Sequence, residues 1–214
     1  MNTRILKINP QYPDLVLLKQ AAAVLENSGV IGYPTETVYG LGANIFDADA
    51  VERIYAIKGR DFHKPLIVIV DSYEMLQPLV EYIPGVGNRI MREFWPGPLT
   101  VILQASSLVD KQVLGGGSTI AVRIPDNKIC LTLLRLCGFP LTSTSANVAG
   151  KPNSVSAEDV EHNLHSKLDL IIDGGPSRSA TASTLLDLTT ESPQIRRIGA
   201  IPVHLIERFY TVDC

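Results

Sequence analysis

Four hydroxyl side chains follow one another in the segment from Leu141 to Asn147, which reads Leu-Thr-Ser-Thr-Ser-Ala-Asn. Pro140 and the apolar approach predict an interior strand, and such strands are normally filled with Val, Ile and Leu. Strand alternation would place Ser143, Ser145 and Asn147 on one face. A row of short hydrogen-bonding groups suits a compact polar ligand. The alternative is a strand end whose hydroxyls cap a turn, and both interpretations stay open at this point.

A cluster of positive charge follows a predicted helix that ends near residue 57. Lys58, Arg60 and Lys64 stand against one acid, Asp61, which gives this segment a charge of +2 in a chain whose net charge is −3. Arginine offers a rigid fork and lysine a mobile point charge, and both suit phosphate oxygens. The alternative is a solvated helix end, where cations also compensate the helix dipole.

Arg123 lies within a predicted strand and shares a face with Thr119 and Ala121. A charged side chain in such a position is costly unless it meets an anion. That anion is either part of a ligand or the carboxylate of an unidentified Asp or Glu in a structural salt bridge. The residue therefore indicates an anion partner without naming it.

Residues 33–42 form a polar segment that reads Tyr-Pro-Thr-Glu-Thr-Val-Tyr-Gly-Leu-Gly. It follows a predicted strand and combines hydroxyl groups with two glycines. Gly40 and Gly42 would allow a ligand to approach the backbone closely. Taken alone, the segment predicts only a polar turn between a strand and a helix.

Helical and strand patterns alternate along the chain, and these elements must position the polar groups. The helix patterns run from Asp14 to a stop at Gly29 and recur over residues 47–57, 86–94, 129–136 and 156–165. The strand patterns cover residues 30–33, 66–70, 99–103, 119–124, 141–145, 168–172, 183–188 and 194–198. This alternation predicts an α/β or α+β domain. The glycine-rich segments 115–118 and 174–181 are expected to be loops over a single domain of residues 1–214.

Composition and absent motifs exclude several classes of protein. The chain has 214 residues, 45% hydrophobic and 19% charged, which is typical of a globular protein. No apolar run approaches the roughly 20 residues that cross a bilayer, so we expect no membrane association. The cysteines Cys130, Cys137 and Cys214 have no CxxC spacing, and we expect buried free thiols and a reducing, cytoplasmic setting. The sequence contains no phosphate loop, dinucleotide fingerprint or nucleophile elbow, and its histidines predict no metal site.

Six short motifs stand in a fixed order along the chain. They are residues 34–41 (Pro-Thr-Glu-Thr-Val-Tyr-Gly-Leu), 58–60 (Lys-Gly-Arg), 65–66 (Pro-Leu), 95–100 (Trp-Pro-Gly-Pro-Leu-Thr), 123–125 (Arg-Ile-Pro) and 145–147 (Ser-Ala-Asn). Each is weak evidence by itself. Together they resemble the YrdC-like family, whose best-known members are the threonylcarbamoyl-AMP synthases, and the order and spacing fit from about residue 9 to residue 201.

The resemblance implies an α/β fold, α+β-like, with a twisted, open, mixed β-sheet flanked by helices around a large concave groove. It implies a nucleotidyltransferase, an L-threonylcarbamoyladenylate synthase, that makes threonylcarbamoyl-AMP and pyrophosphate from L-threonine, bicarbonate and ATP. A separate tRNA threonylcarbamoyl-transferase complex would then use this product to modify tRNA. Because the resemblance is to the short form of the family, we expect no second C-terminal domain.

The resemblance also implies which residues form the site. Matching the family motifs makes Lys58 and Arg60 the catalytic residues, which would stabilise charge on the phosphates. The residues that would bind ATP are Lys58, Arg60, Thr119, Ser145, Asn147 and Arg197. Those that would bind threonine are Thr35, Arg123, Ser143 and Ser183. Mg²⁺ is expected to bridge the phosphates, as is general in ATP chemistry.

The sequence departs from the family pattern at one position. In many synthases the strand after Pro-Leu carries a histidine near the threonine site, whereas Ile69 stands at about that place here. The alternative function is that of a YciO-type protein of the same fold, which would bind tRNA or double-stranded RNA without robust synthase activity. That branch has altered K-x-R and S-x-N positions. Both motifs are intact in this chain, which favours the synthase.

Overall fold

The structure is a computed structural model that describes residues 3–210, and Cys214 lies outside this range. The described residues form seven α-helices: α1 (Leu15–Glu26), α2 (Ala48–Lys58), α3 (Tyr73–Leu76), α4 (Gly85–Phe94), α5 (Lys128–Cys137), α6 (Ala157–Leu164) and α7 (Val203–Glu207). They also form eleven β-strands: β1 (Arg4–Lys7), β2 (Ile31–Tyr33), β3 (Gly40–Gly42), β4 (Ile67–Ile69), β5 (Leu99–Gln104), β6 (Thr119–Arg123), β7 (Leu141–Thr142), β8 (Thr144–Ser145), β9 (Leu170–Asp173), β10 (Thr184–Asp187) and β11 (Gln194–Arg197).

The strands form two mixed sheets. One sheet has five strands in the order β1-β9-β2-β3-β8, and the other has six in the order β11-β10-β5-β6-β4-β7. In the first, β1, β9 and β2 are parallel, and β3 is antiparallel to both of its neighbours. In the second, the β10–β5 and β4–β6 pairs are parallel and the others are antiparallel. The predicted α/β fold class is confirmed, with the strands divided between two sheets.

The hydroxyl-rich segment is the place where the chain crosses from one sheet to the other. β7 pairs with β4 in the six-stranded sheet, whereas β8 pairs with β3 in the five-stranded sheet. Ser143 lies between them, and its N–H donates to the carbonyl of Ile67 at 2.7 Å. The prediction of one continuous strand over residues 141–145 was therefore wrong. Alternation reports which face a side chain takes, but not which sheet receives its backbone hydrogen bonds.

Gly40–Gly42 forms strand β3, although the sequence predicts only a polar turn there. This strand packs directly under Tyr33, which is fully buried and whose hydroxyl donates to the carbonyl of Thr142 at 2.9 Å. A Cβ added to Gly42 would lie 2.8 Å from Cε1 of Tyr33. The absence of side chains on the glycines is what lets the tyrosine ring lie against the middle of the five-stranded sheet.

Local capping sets the helix ends that matter for the site. Asp14 accepts hydrogen bonds from two backbone N–H groups at the start of α1, and Ser156 and Asp159 form a capping box at the start of α6, as their sequence patterns predict. α2 ends at Gly59, whose φ of 57° turns the chain away from the helix axis. This places Lys58 in the last turn of α2 and Arg60 just beyond it. None of the helices within residues 3–210 combines the length and apolar character that a membrane span requires.

Two groups of buried apolar side chains hold the sheets and helices together. The larger joins α2, α4 and the six-stranded sheet, and the smaller joins α1 and α5 to the outer part of the five-stranded sheet. Ile69 belongs to the smaller group and is 1% exposed. Cys130 is buried in the same group, Cys137 is partly buried, and both are free thiols.

Gly42→Ala is expected to lower the free energy of unfolding by about 1–3 kcal/mol, because the new methyl group would be forced into the ring of Tyr33. Urea-induced unfolding measures this difference. Gly85→Ala is the matched control: a Cβ there meets no atom within 4 Å, and we expect no loss greater than about 0.5 kcal/mol. A Gly42→Ala protein as stable as the wild type would contradict the close contact.

Candidate active site

A cavity of about 250 Å³ is lined by residues from both sheets. It contains all of the residues that the family resemblance assigns to threonine, together with two of those assigned to ATP. The lining residues are Thr35, Thr37, Val38, Tyr39, Gly40, Ile67, Arg123, Ser143, Ser145, Asn153, Ala182, Ser183 and Arg197. Among them no side chain carries a carboxylate, so the wall is composed of hydroxyls, amides, two guanidinium groups and a few apolar surfaces.

Lys58 lies beside this cavity but is itself buried, with 2% of its surface exposed. Its ammonium donates to the carbonyls of Ser145 and Asn147 and to the side-chain Oδ1 of Asn147. An ammonium has three N–H groups, and each of them has an acceptor here. Burial, and secondarily repulsion by Arg60, lower the pKa of Lys58 to about 8. Lys58 therefore fastens α2 to the Ser-Ala-Asn segment.

The Ser-Ala-Asn segment is held by its own side chains as well. The hydroxyl of Ser145 donates to Oδ1 of Asn147 at 2.6 Å, and Nδ2 of Asn147 donates to the carbonyl of Lys151. The N–H of Ala146 donates to the carbonyl of Tyr39 at 2.8 Å. Asn147 is 5% exposed, so its role in this structure is to shape the loop, while Ser145 faces the cavity.

Arg60 keeps part of its guanidinium free. Its Nη2 donates to the carbonyl of Pro65 at 3.1 Å, whereas its Nε is buried and has no hydrogen-bond partner among the described residues. A buried, unpaired donor on a cationic group is costly, and an anionic ligand would satisfy it. Burial lowers the pKa of Arg60.

Arg123 is fixed on three sides. Its Nε donates to the carbonyl of Gly97 at 2.9 Å, its Nη1 donates to Oγ1 of Thr37 at 2.9 Å, and its Nη2 forms an ion pair with Oε1 of Glu36. The side chains of Arg123 and Glu36 are 6% and 8% exposed. Glu36 is thus the acid that the sequence left unidentified. Arg123 also lines the cavity, so the internal salt bridge and a surface toward a ligand coexist.

Arg197 and Ser183 also line the cavity and contact each other. The guanidinium of Arg197 donates to the carbonyl of Ser183 from Nε at 3.1 Å and from Nη2 at 3.0 Å. The hydroxyl of Ser183 is 2.7 Å from that of Thr100. The pKa of Arg197 is lowered, mainly by burial and secondarily by repulsion from Arg123 and Arg60. The repulsion indicates that these guanidinium groups share one electrostatic environment.

Two of the sequence assignments fit the cavity less directly. Thr119 is not among the lining residues, because it lies at the start of β6, whereas Arg123 at the other end of that strand reaches the cavity. Thr35 lines the cavity, but its hydroxyl donates to the carbonyl of Val38 and stabilises the turn.

In β4 it is Ile67 that lines the cavity, while Ile69 lies in the core. The position expected for the family histidine is therefore not on the cavity wall.

Sequence reasoning did not single out several residues of the site. Asn153 and Tyr39 line the cavity, and Glu36 holds Arg123. Glu36 and Tyr39 lie within the family motif at residues 34–41, so the motif marked their segment without giving either residue a role. Asn153 follows Lys151 and Pro152 in a segment with no recognisable pattern, and only the fold brings it to the cavity.

Metal binding has little support from the side chains. Within residues 3–210 no group of three or more His, Cys, Asp or Glu residues is arranged to hold a metal ion. Mg²⁺ prefers carboxylate and phosphate oxygens, and the cavity wall supplies no carboxylate. A protein-bound Mg²⁺ does not fit this lining, and any Mg²⁺ would have to be held mainly by the oxygens of a bound triphosphate.

Comparisons with known proteins agree with this geometry. A family model for the Sua5, YciO and YrdC proteins, described as telomere recombination, matches residues 23–199. The Pyrococcus abyssi threonylcarbamoyl-AMP synthase is 41% identical over 191 residues, which cover 89% of this chain and 56% of that protein. The crystal structure of P. abyssi Sua5 complexed with L-threonine superposes with a TM-score of 0.94 at 39% identity, covering 97% of this chain and 61% of that one.

A second branch of the family is also similar. The crystal structure of Escherichia coli YciO superposes with a TM-score of 0.87 at 30% identity and covers 94% of this chain and 98% of that one. The chain spans little more than half the length of the P. abyssi synthase, whereas it matches YciO over almost all of its length. The residues that the family model matches include the whole cavity lining, and the chain belongs to the Sua5, YciO and YrdC family.

Proposed function

We propose that this protein is an L-threonylcarbamoyladenylate synthase that converts L-threonine, bicarbonate and ATP to threonylcarbamoyl-AMP and pyrophosphate. The observation that carries this proposal is the cationic cavity. Lys58, Arg60, Arg123 and Arg197 lie in or beside one cavity whose lining side chains include no carboxylate. All three proposed substrates carry negative charge, so their binding would relieve the repulsion among these cations.

The cavity has two parts that suit the two larger substrates. Arg60 and Arg197 would offer donors to a triphosphate, and Lys58 adds charge while holding the Ser145 backbone. The hydroxyl of Ser145 lines the cavity but already donates to Asn147. Arg123, Ser143 and Ser183 offer donors to the carboxylate and hydroxyl of an amino acid. Ile67 and Val38 offer only apolar contact to a side-chain methyl, which can discriminate threonine from serine by about 1–3 kcal/mol.

The chemistry needs charge stabilisation more than a general base. The unprotonated amine of threonine condenses with bicarbonate, which forms the N–C bond of a carbamate and releases water. A carbamate oxygen then attacks the α-phosphorus of ATP, so that the new P–O bond forms as the bond from this phosphorus to pyrophosphate breaks. Arg60 and Lys58 are positioned to stabilise the negative charge that develops on the phosphate oxygens. Fixed cations in a partly buried site need not reorganise during the step, and the three hydrogen bonds of Lys58 hold it in place.

The product implies a partner. An acyl-adenylate is reactive toward water, so a second enzyme must accept the threonylcarbamoyl group soon after its release. We propose that this partner is a tRNA threonylcarbamoyl-transferase complex and that both act in the cytoplasm, where tRNA is available. Mg²⁺ would enter as the ion bound to ATP.

A YciO-type RNA-binding function is the second candidate. It is favoured by one observation, the match to E. coli YciO over 98% of that protein. The greater identity to the P. abyssi synthase and the intact Lys-Gly-Arg and Ser-Ala-Asn motifs support the first candidate instead. The chain has a net charge of −3 and one local cluster of cations at residues 58–64, which disfavours RNA binding by charge alone.

Pyrophosphate release from ATP by the purified protein distinguishes the two functions. We expect release that requires both L-threonine and bicarbonate, with a smaller rate for L-serine. Binding of tRNA and double-stranded RNA is measured in parallel at two salt concentrations. Salt-sensitive RNA binding by a folded protein that releases no pyrophosphate under any condition would favour the YciO-type function.

Arg60→Ala is expected to lower the rate of pyrophosphate release by about 10- to 100-fold, since it removes a charge-assisted contact to the phosphates. Its stability should change little, because Arg60 makes a single hydrogen bond to Pro65. Lys64→Ala is the matched control, because Lys64 is an exposed cation of the same loop, whereas Arg60 is half-buried and has a buried, unpaired Nε. If both variants lost the same fraction of the rate of pyrophosphate release, the rate would depend on the total positive charge of the loop rather than on the position of Arg60.

Lys58→Met is expected to lose both activity and stability, because it leaves three backbone and amide acceptors of the Ser-Ala-Asn segment without their donor. Thermal unfolding separates this variant from Arg60→Ala, which should unfold near the wild-type temperature. A Lys58→Met protein with wild-type stability would contradict the structural part of this role.

The affinity for ATP is expected to fall as the pH rises above about 8, because the lowered pKa of Lys58 removes its charge there. The folded protein loses this proton before the unfolded chain does, so Lys58 makes the fold more stable as the pH rises from about 8 to about 10.4. Affinity and stability therefore change in opposite directions over this range. Calorimetric titration with ATP and urea unfolding from pH 7 to 9.5 measure both, and an ATP affinity that is constant with pH would contradict the assignment.

A further inference from the structure

One buried hydroxyl holds the loop that carries the amino-acid side of the cavity. The loop, residues 174–183, connects β9 to β10, and it ends at Ser183, which is 4% exposed. The hydroxyl of Tyr39 donates to the carbonyl of Gly175 at 2.7 Å and accepts from the N–H of Gly174 at 3.3 Å. Tyr39 itself is fully buried and lines the cavity.

Residues 176–181 of this loop have few buried anchors, whereas its end is also held by hydrogen bonds from Ala200 to Ala182, from Arg197 to Ser183 and between Ser183 and Thr100. Pro176, Arg178 and Ala180 are exposed, and the ion pair from Arg178 to Asp126 at 3.3 Å lies at the surface, where such pairs contribute little. The N–H of Ser177 donates to the carbonyl of Val155 at 2.8 Å. The Tyr39 hydroxyl is therefore a buried side-chain contact that fixes the beginning of the loop relative to the cavity.

The backbone of Tyr39 fixes the other side of the cavity. Its N–H donates to the carbonyl of Ser154 at 2.9 Å, and its carbonyl accepts from the N–H of Ala146 at 2.8 Å. The residue thus connects the Ser-Ala-Asn segment, the segment that contains Asn153 and the loop 174–183. The first two connections are made by the backbone and would survive a change of side chain, whereas the third depends on the phenol oxygen alone.

We propose that Tyr39 is a positioning residue whose hydroxyl sets the loop 174–183, and through it Ser183 and Ala182, at the geometry that binds the amino-acid substrate. The proposal rests on the proposed function for the identity of that substrate. It assigns the hydroxyl to the threonine half of the site and not to the ATP half, because within residues 3–210 both hydrogen bonds of the phenol oxygen go to the loop that leads to Ser183.

Tyr39→Phe tests this assignment, and Tyr55→Phe is the matched control. Tyr55 is also buried, and its hydroxyl lies 2.8 Å from the carbonyl of Gln112 and 3.1 Å from that of Lys64, which places it beside the Arg60 loop. Each variant removes one buried phenol hydroxyl from backbone carbonyls. The two substitutions should lower stability by similar amounts. A difference between the variants in threonine binding or in loop exchange therefore reflects where the lost hydroxyl was located.

Three quantities are compared with the wild type: the dissociation constant of L-threonine by calorimetry, KM for ATP with kcat at saturating threonine, and amide hydrogen exchange of residues 174–181. For Tyr39→Phe we expect about three- to tenfold weaker threonine binding and faster exchange in the loop, the size expected of one lost hydrogen bond. KM for ATP and kcat should remain within about twofold. Tyr55→Phe should leave threonine binding and exchange in residues 174–181 unchanged.

Unchanged exchange in the loop of Tyr39→Phe, an equal rise of the threonine constant in both variants, or a rise of KM for ATP in parallel with that of threonine would overturn the proposal. The calorimetric measurement of threonine binding does not depend on turnover. If the wild-type protein binds threonine but releases no pyrophosphate, the proposed synthase function fails while the positioning role of Tyr39 is still decided. If the wild type does not bind threonine, the positioning proposal fails with it.

Discussion

The buried ammonium of Lys58 is the constraint on which the rest of the site depends. A lysine with 2% exposure survives in the fold only if its N–H groups are paired, and all three find acceptors at Ser145 and Asn147. Those acceptors lie just after the point where the chain crosses between sheets. The charge at the end of α2 therefore fixes the crossing, and through the Ala146–Tyr39 hydrogen bond it also fixes the turn before β3. Lys58 therefore both holds these segments in position and supplies positive charge beside the cavity.

The electrostatic design of the cavity follows from this arrangement. Four cationic side chains lie in or beside it, and within residues 3–210 the acid that pairs with one of them is Glu36, the partner of Arg123. Burying these cations costs stability and lowers the pKa values of Lys58, Arg60 and Arg197, and repulsion by neighbouring guanidinium groups lowers those of Lys58 and Arg197 further. A polyanionic ligand offsets that cost. In the proposed function the same cations would supply binding energy, and the proposed reaction would need fixed positive charge rather than a titrating base.

Membership in the family and the activity of the chain rest on different observations. The fold is shared by P. abyssi Sua5 and E. coli YciO with TM-scores of 0.94 and 0.87, so the arrangement of strands and helices does not separate a synthase from its relatives. The resemblance to the family implies that the separation lies in side chains, above all the Lys58–Arg60 and Ser145–Asn147 pairs. Their contacts show that a change at Lys58 or Asn147 would alter the shape of the cavity as well as its charge.

The sequence by itself determined the α/β class, most helix and strand positions and the segments that form the site, because periodicity, capping residues and short motifs are local properties of the chain. Arg123 could be predicted to need an anion, but Glu36 became its partner only when β6 and the turn after β2 came together. The tertiary structure alone decided that residues 141–145 divide between two sheets, that Ile67 rather than Ile69 faces the cavity, and that Lys58 points inward to backbone carbonyls. These outcomes depend on which distant backbone groups accept each hydrogen bond, and no local pattern encodes that choice.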